Sequence, residues 1–108
     1  MTLVQHGDEL EVLTLDAVER WQGVGTALLT AAIETARSRG CRRLWLITTN
    51  DNVDALRFYQ RRGLRLARID TGAVDWSRLT LKPGIPEVGL HGIPIRDELE
   101  LELILEGP

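Results

Sequence analysis

Residues 19–40, ERWQGVGTALLTAAIETARSRG, hold the part of this chain best suited to chemistry. Two glycines, Gly23 and Gly25, stand one residue apart, directly behind the alternating run ELEVLTL and directly ahead of an alanine-rich helical pattern. A strand that turns through glycines into a helix presents the first N–H groups of that helix, unpaired, at the positive end of its dipole. That junction suits an anion, a phosphate above all. From Gln22 through Gly23, Val24 and Gly25 to Thr26, consecutive amides can donate to a pyrophosphate, each charge-assisted bond contributing on the order of 1.5–3 kcal/mol. Arg20 adds a charged donor, and Trp21 either lies over an apolar part of a ligand or shields the loop. A P-loop requires G-x-x-x-x-G-K-[ST], and Lys82 is the sole lysine of the chain, so that reading fails. A dinucleotide fingerprint needs a third small residue where Leu28 stands and matches only its first two glycines.

The elements that must position this loop follow from periodicity. Leu3 and Val4 precede the turn-type cluster HGDE, and ELEVLTL then alternates, so a strand, a hairpin turn and a second strand are expected. From Gly23 to Arg39 the set Val24, Leu28, Leu29, Ala32, Ile33 and Ala36 recurs at helical spacing, closed by Gly40. RRLWLITT reads as a buried strand parallel to ELEVLTL, because a helix crosses over between them. A second, shorter helix follows in NDNVDALRFYQRRG, with Asn52 at its N-cap, Ala55, Leu56, Phe58 and Tyr59 on one side and Gly63 at its end. LRLARID and LELELIL alternate as antiparallel strands covered on one side, with Leu99, Leu101, Leu103 and Leu105 sharing a face. The stretch 71–98 exceeds the roughly 12–15 residues of a structureless loop, so a helical turn is expected around AVDWSRLTL.

Two motifs now stand in order with a strand between them. RWQGVG, Arg20–Gly25, resembles the R/Q-x-x-G-x-G/A signature of the GNAT superfamily of N-acetyltransferases. NVDALRFYQRRGLRL is similar to the family's N-x-x-A-x-x-F-Y-x-x-x-G-F pattern, with Asn52, Ala55, Phe58, Tyr59 and Gly63 in register and Leu64 in place of the usual aromatic. The resemblance covers roughly residues 9–70. It implies an α/β (α+β) fold with a GNAT-like mixed sheet around a central βαβ unit, acetyl-coenzyme A as cosubstrate, no metal, and acetyl transfer by direct attack of an amine, on a small molecule or a protein. In the family the parallel strands splay and the pantetheine arm pairs with the first of them. Carried over, the backbone of Leu13 and Leu15 holds the arm and polarises the thioester carbonyl through an N–H, while Asn52 contacts the arm, caps its helix, or does both. Tyr59 matches the family's general acid, a phenol of ordinary pKa near 10 able to protonate a leaving thiolate, or else is a core aromatic beside Phe58. Glu9 and Glu11 share a strand face where some relatives carry a glutamate base; a water chain or a solvated strand face would account for them equally.

Against the family pattern, the chain begins just before a hairpin turn, so the reading is of one domain, 1–108, truncated on the N-terminal side without the usual first strand and helices. A non-catalytic coenzyme A binding or interaction module is the alternative. An open sheet edge at Leu3 and Val4, or at ELEVLTL itself, points to a homodimer. The net charge of −3 and arginines clustered in pairs argue against a nucleic-acid footprint. No apolar run approaches a membrane span, and the single cysteine, Cys41, fits a reducing compartment, so a cytoplasmic protein is expected. His6 and His91 have neither metal-ligand spacing nor an evident partner and are expected on the surface.

Overall fold

The computed structural model describes residues 1–13 and 22–105. In chain order these form β1 (Leu3–His6), β2 (Glu9–Val12), α1 (Gln22–Ser38), β3 (Arg43–Thr49), α2 (Val53–Arg61), β4 (Arg65–Asp70), α3 (Ala73–Thr80), a 3-10 turn (Leu90–Gly92) and β5 (Glu98–Ile104). Every expected element is present, including the helix inside 71–98. The five strands form one sheet in the order β1-β2-β3-β5-β4. β1 and β2 are an antiparallel hairpin whose turn places Gly7 at φ +61°, and β2 and β3 are parallel, as the α1 crossover requires. β5 enters antiparallel between β3 and β4.

Alternation puts the apolar residues of the central strands on one face. Leu10, Val12, Leu44, Leu46 and Leu101 are buried there against Leu29, Ala32 and Ala36 of α1 and Ala55, Phe58 and Tyr59 of α2. Both crossover helices therefore cover the same face. α1 ends as its glycine dictates: Gly40, at φ +71°, lets Cys41 N–H turn back to Ala36 O at 2.9 Å, and the Cys41 side chain joins the core.

The opposite face carries charge. Arg43 donates to Glu102 at 2.6 Å, to Glu9 at 3.0 Å and to Glu100, tying β2, β3 and β5 together across the sheet. Its burial alone would lower its pKa, but its hydrogen bonds to Glu102, Glu100 and Glu9 outweigh that and hold it above the ordinary guanidinium value.

Two expectations are corrected. β4 is exposed on both faces, not covered on one, because it is the outermost strand beyond the helices, and Leu66 and Ile69 stand in solvent. The β2 part of ELEVLTL is no edge, since β2 lies between β1 and β3; among the described residues the edges are β1 and β4. Among the described residues no helix is long and apolar enough to cross a membrane.

Candidate active site

The sheet divides near its centre. Among the described residues, β2 and β3 pair from Glu9↔Arg43 to Val12↔Leu46. Beyond that point β3 continues through Thr49, paired among the described residues with β5, while Leu13 N–H donates to Thr2 O at 2.8 Å and keeps the chain on β1. Each parallel strand thus follows its outer neighbour, and a split opens between them at their C-terminal ends. The Leu13 amide is engaged away from β3, which revises the expectation that it faces a ligand in the gap. Backbone direction alternates along a strand, so the groups of Val12 face β3 instead. Leu15, Arg20 and Trp21 lie outside the described residues, as do the side chains of Gln22 and Val24 and the setting of Gly23.

α1 starts at Gln22, at the same end of the sheet, so its first N–H groups lie beside the split. Gly25 is buried, and Thr26 on the same turn accepts a hydrogen bond from Arg62 Nε at 3.0 Å. Arg62 also donates to Phe58 O at 3.3 Å and stacks its guanidinium 3.8 Å above the Phe58 ring. Three contacts, one to Thr26 and two to Phe58, thereby hold a cation beside the start of α1. Arg57, Arg61 and Arg62, with Asp54 and Phe58, line an open groove of about 400 Å³ along α2. Phe58 and Arg62 are four residues apart, the spacing that sets them on one helix face. That spacing was the readable signal for Arg62.

Asn52 caps α2, its side chain accepting from Ala55 N–H at 3.2 Å. Tyr59, 5% exposed, packs edge-on to Phe58 with ring centroids 5.5 Å apart, on the helix-covered face. Glu9 and Glu11 project from the opposite face. Glu9 belongs to the Arg43 cluster, whereas Glu11 meets His6 Nε2 at 2.9 Å, with the His6 ring near Trp45. A carboxylate only accepts, so this imidazole nitrogen carries a proton. Glu11 stands one residue before the split. Glu9 stands at the foot of the ladder, ~10 Å down the strand from Val12 at ~3.3 Å per residue. His91 likewise has a carboxylate partner, Asp54, at 2.7 Å, so both histidines are exposed as expected but neither is unpartnered.

Residues 3–64 match the family model described as Acetyltransferase (GNAT) family. The protein YxbD of Bacillus subtilis (strain 168) is 48% identical over 101 residues, covering 94% of this chain and 63% of its own length. The chain therefore spans just under two thirds of that relative. Among solved structures, an IAA acetyltransferase from Bacillus cereus ATCC 14579 superposes with a TM-score of 0.78 at 27% identity, over 95% of this chain and 67% of the other. A Bacillus subtilis acetyltransferase in complex with CoA gives 0.76 at 25% identity, over 96% and 66%.

Proposed function

The chain belongs to the acetyltransferase (GNAT) family, and from that membership we propose that it is an N-acetyltransferase that moves an acetyl group from acetyl-coenzyme A to an amine by direct attack. One observation carries the reading: among the described residues the β2–β3 ladder ends at Val12↔Leu46, with Leu13 N–H turned to β1, at the end of the sheet where α1 begins and Arg62 braces it. A split between parallel strands offers unpaired backbone groups to an amide-bearing arm, and the helix end offers N–H groups to a pyrophosphate. The similar Bacillus subtilis structure, solved with CoA, supports the same ligand here.

Bound acetyl-coenzyme A supplies the acetyl group already activated as a thioester. In this proposal Gln22, Gly23, Val24, Gly25 and Thr26, with Arg20 and Arg62, hold the pyrophosphate, and Trp21 lies over an apolar part of the ligand or shields the loop. The backbone from Val12 through Leu13 to Leu15 lines the arm with Asn52, and the donor that polarises the carbonyl is an amide of this stretch that faces the split. Tyr59 gives its phenolic proton to the departing sulfur as the C–S bond breaks. Glu11 accepts, directly or through one water, the proton that the amine sheds as the C–N bond forms. The two groups lie on opposite faces of the sheet, and the split is where those faces meet. Glu9, committed to Arg43 and farther from the gap, is the weaker base candidate.

The test is a thermal-shift titration with acetyl-coenzyme A, followed by a thiol-release assay across a panel of amines. Ligand-dependent stabilisation with amine-dependent thiol release is expected. Stabilisation with no release for any amine would leave only a coenzyme A binding module.

A further inference from the structure

Asp51 is the one buried charged residue among the described residues, 4% exposed, and it belongs to none of the roles above. A carboxylate out of water must be satisfied by donors. Asp51 Oδ1 accepts from Thr49 Oγ1 at 2.5 Å and Oδ2 from Leu90 N–H at 2.9 Å, and its place just before α2 sets it at the positive end of that helix. The donor at Leu90 comes from nearly forty residues away. Its neighbour Asn50 reaches the same segment more extensively. Asn50 Nδ2 donates to Pro94 O at 2.8 Å, Asn50 Oδ1 accepts from Arg96 N–H at 2.9 Å and Asp97 N–H at 3.0 Å, and Asn50 N–H donates to Asp97 O at 3.1 Å.

Gly89 shows how close the fit is. A Cβ there would collide with the Asp51 carboxylate and lie 2.7 Å from Ile95 Cγ1, closer than packed atoms stand. The segment 89–97 is thus pressed onto the two residues that continue β3 past Thr49, at the end of the sheet where β2 and β3 part.

We propose that Asn50 and Asp51 are positioning residues that fasten the segment 89–97 to the rim of the β2–β3 split and so set the opening through which the amine reaches it. This inference rests on the acetyl-transfer reading. It assigns the last part of the long β4–β5 excursion to the acceptor side, and it makes the fastening separable from pyrophosphate binding, which the reading above places at the start of α1 and at Arg62, past the opposite end of α2 from Asp51.

Two substitutions test it. Gly89→Ala drives a methyl into the carboxylate, while Asp51→Asn keeps the size of the side chain but turns an NH2 toward one of its two donors. With an accepted amine, both variants are expected to raise the amine KM at least tenfold and leave the acetyl-coenzyme A KM within twofold. An unchanged amine KM, or equal rises in both constants, would overturn the proposal. Should the wild type transfer to no amine, the acetyl-transfer reading fails by itself, and limited proteolysis with a CoA titration then decides the fastening. New cleavage within residues 81–97 at a CoA dissociation constant within twofold of wild type supports it, and wild-type resistance in both variants overturns it.

Discussion

Replacing Arg43 by methionine keeps most of the side chain's volume and its apolar stem, so the loss is electrostatic. The guanidinium makes three carboxylate contacts, to Glu102, Glu9 and Glu100, on side chains of which only Glu9, at 40% exposure, has ample water. A charge-assisted hydrogen bond contributes ~1.5–3 kcal/mol, and removing one partner of a largely buried ion pair costs about 3–5 kcal/mol because the other charge stays behind. Arg65 and Arg68, 3.9 and 4.0 Å from Glu102 and Glu100, are mostly in solvent and return little. The expected loss for Arg43→Met is therefore about 3–4 kcal/mol, a drop of roughly 2 M in urea midpoint at unchanged slope for a domain of this size. In the wild type, Arg43 is held above its ordinary value and stays charged between pH 5 and pH 7, so its contribution is constant there. Urea melts of wild type and variant at pH 7 decide the matter. A loss under about 1 kcal/mol would refute the assignment of this cluster as the clasp of the central strands.

Gly25→Asp sets a negative charge at the buried first turn of α1 and is expected to abolish coenzyme A binding by calorimetry while the far-ultraviolet circular dichroism is preserved. Tyr59→Phe keeps the contact with Phe58 and removes the proton donor, so turnover should fall by roughly 10²- to 10⁴-fold with cofactor affinity nearly unchanged. Arg62→Met removes the guanidinium from Thr26 and the Phe58 ring, and is expected to weaken coenzyme A about tenfold and to flatten the salt dependence of its binding. The two open edges, β1 and β4, lead us to propose self-association; light scattering at micromolar concentration should give twice the 12.1 kDa chain mass, and a stable monomer would refute it.

Local pattern made most of the elements legible, because helical spacing from Val24 to Ala36 and alternation from Leu99 to Leu105 each dictate one buried face. Asn52 as a helix cap and Tyr59 as an aromatic packed beside Phe58 were readable for the same reason, being bound to neighbours a few residues away. Contacts made across the sheet were not. LRLARID alternates as a half-covered strand would, yet its burial depends on which strand lies outermost, and that follows from β5 entering between β3 and β4 more than thirty residues later. The direction of the Leu13 amide depends on hairpin register with β1, which side-chain alternation does not reveal. His6 looked solitary because its partner Glu11 is reached only through that same hairpin. The fastening of residues 89–97 to Asn50 and Asp51 rests on backbone groups, whose positions leave no mark in residue type apart from Gly89.

Cys41 gives this protein a built-in clock. The sole thiol of the chain is sealed in the core at the junction of α1 and β3, 5% exposed, and can meet an aqueous disulfide reagent only when that junction opens. Under excess reagent its rate of labelling measures the frequency of opening, with no probe added and no residue changed. A ligand gripping the start of α1 should slow that rate by the factor in which it favours the closed form, so binding can be timed without turnover. The same seclusion keeps the protein's own sulfur out of a colorimetric assay for released coenzyme A thiol.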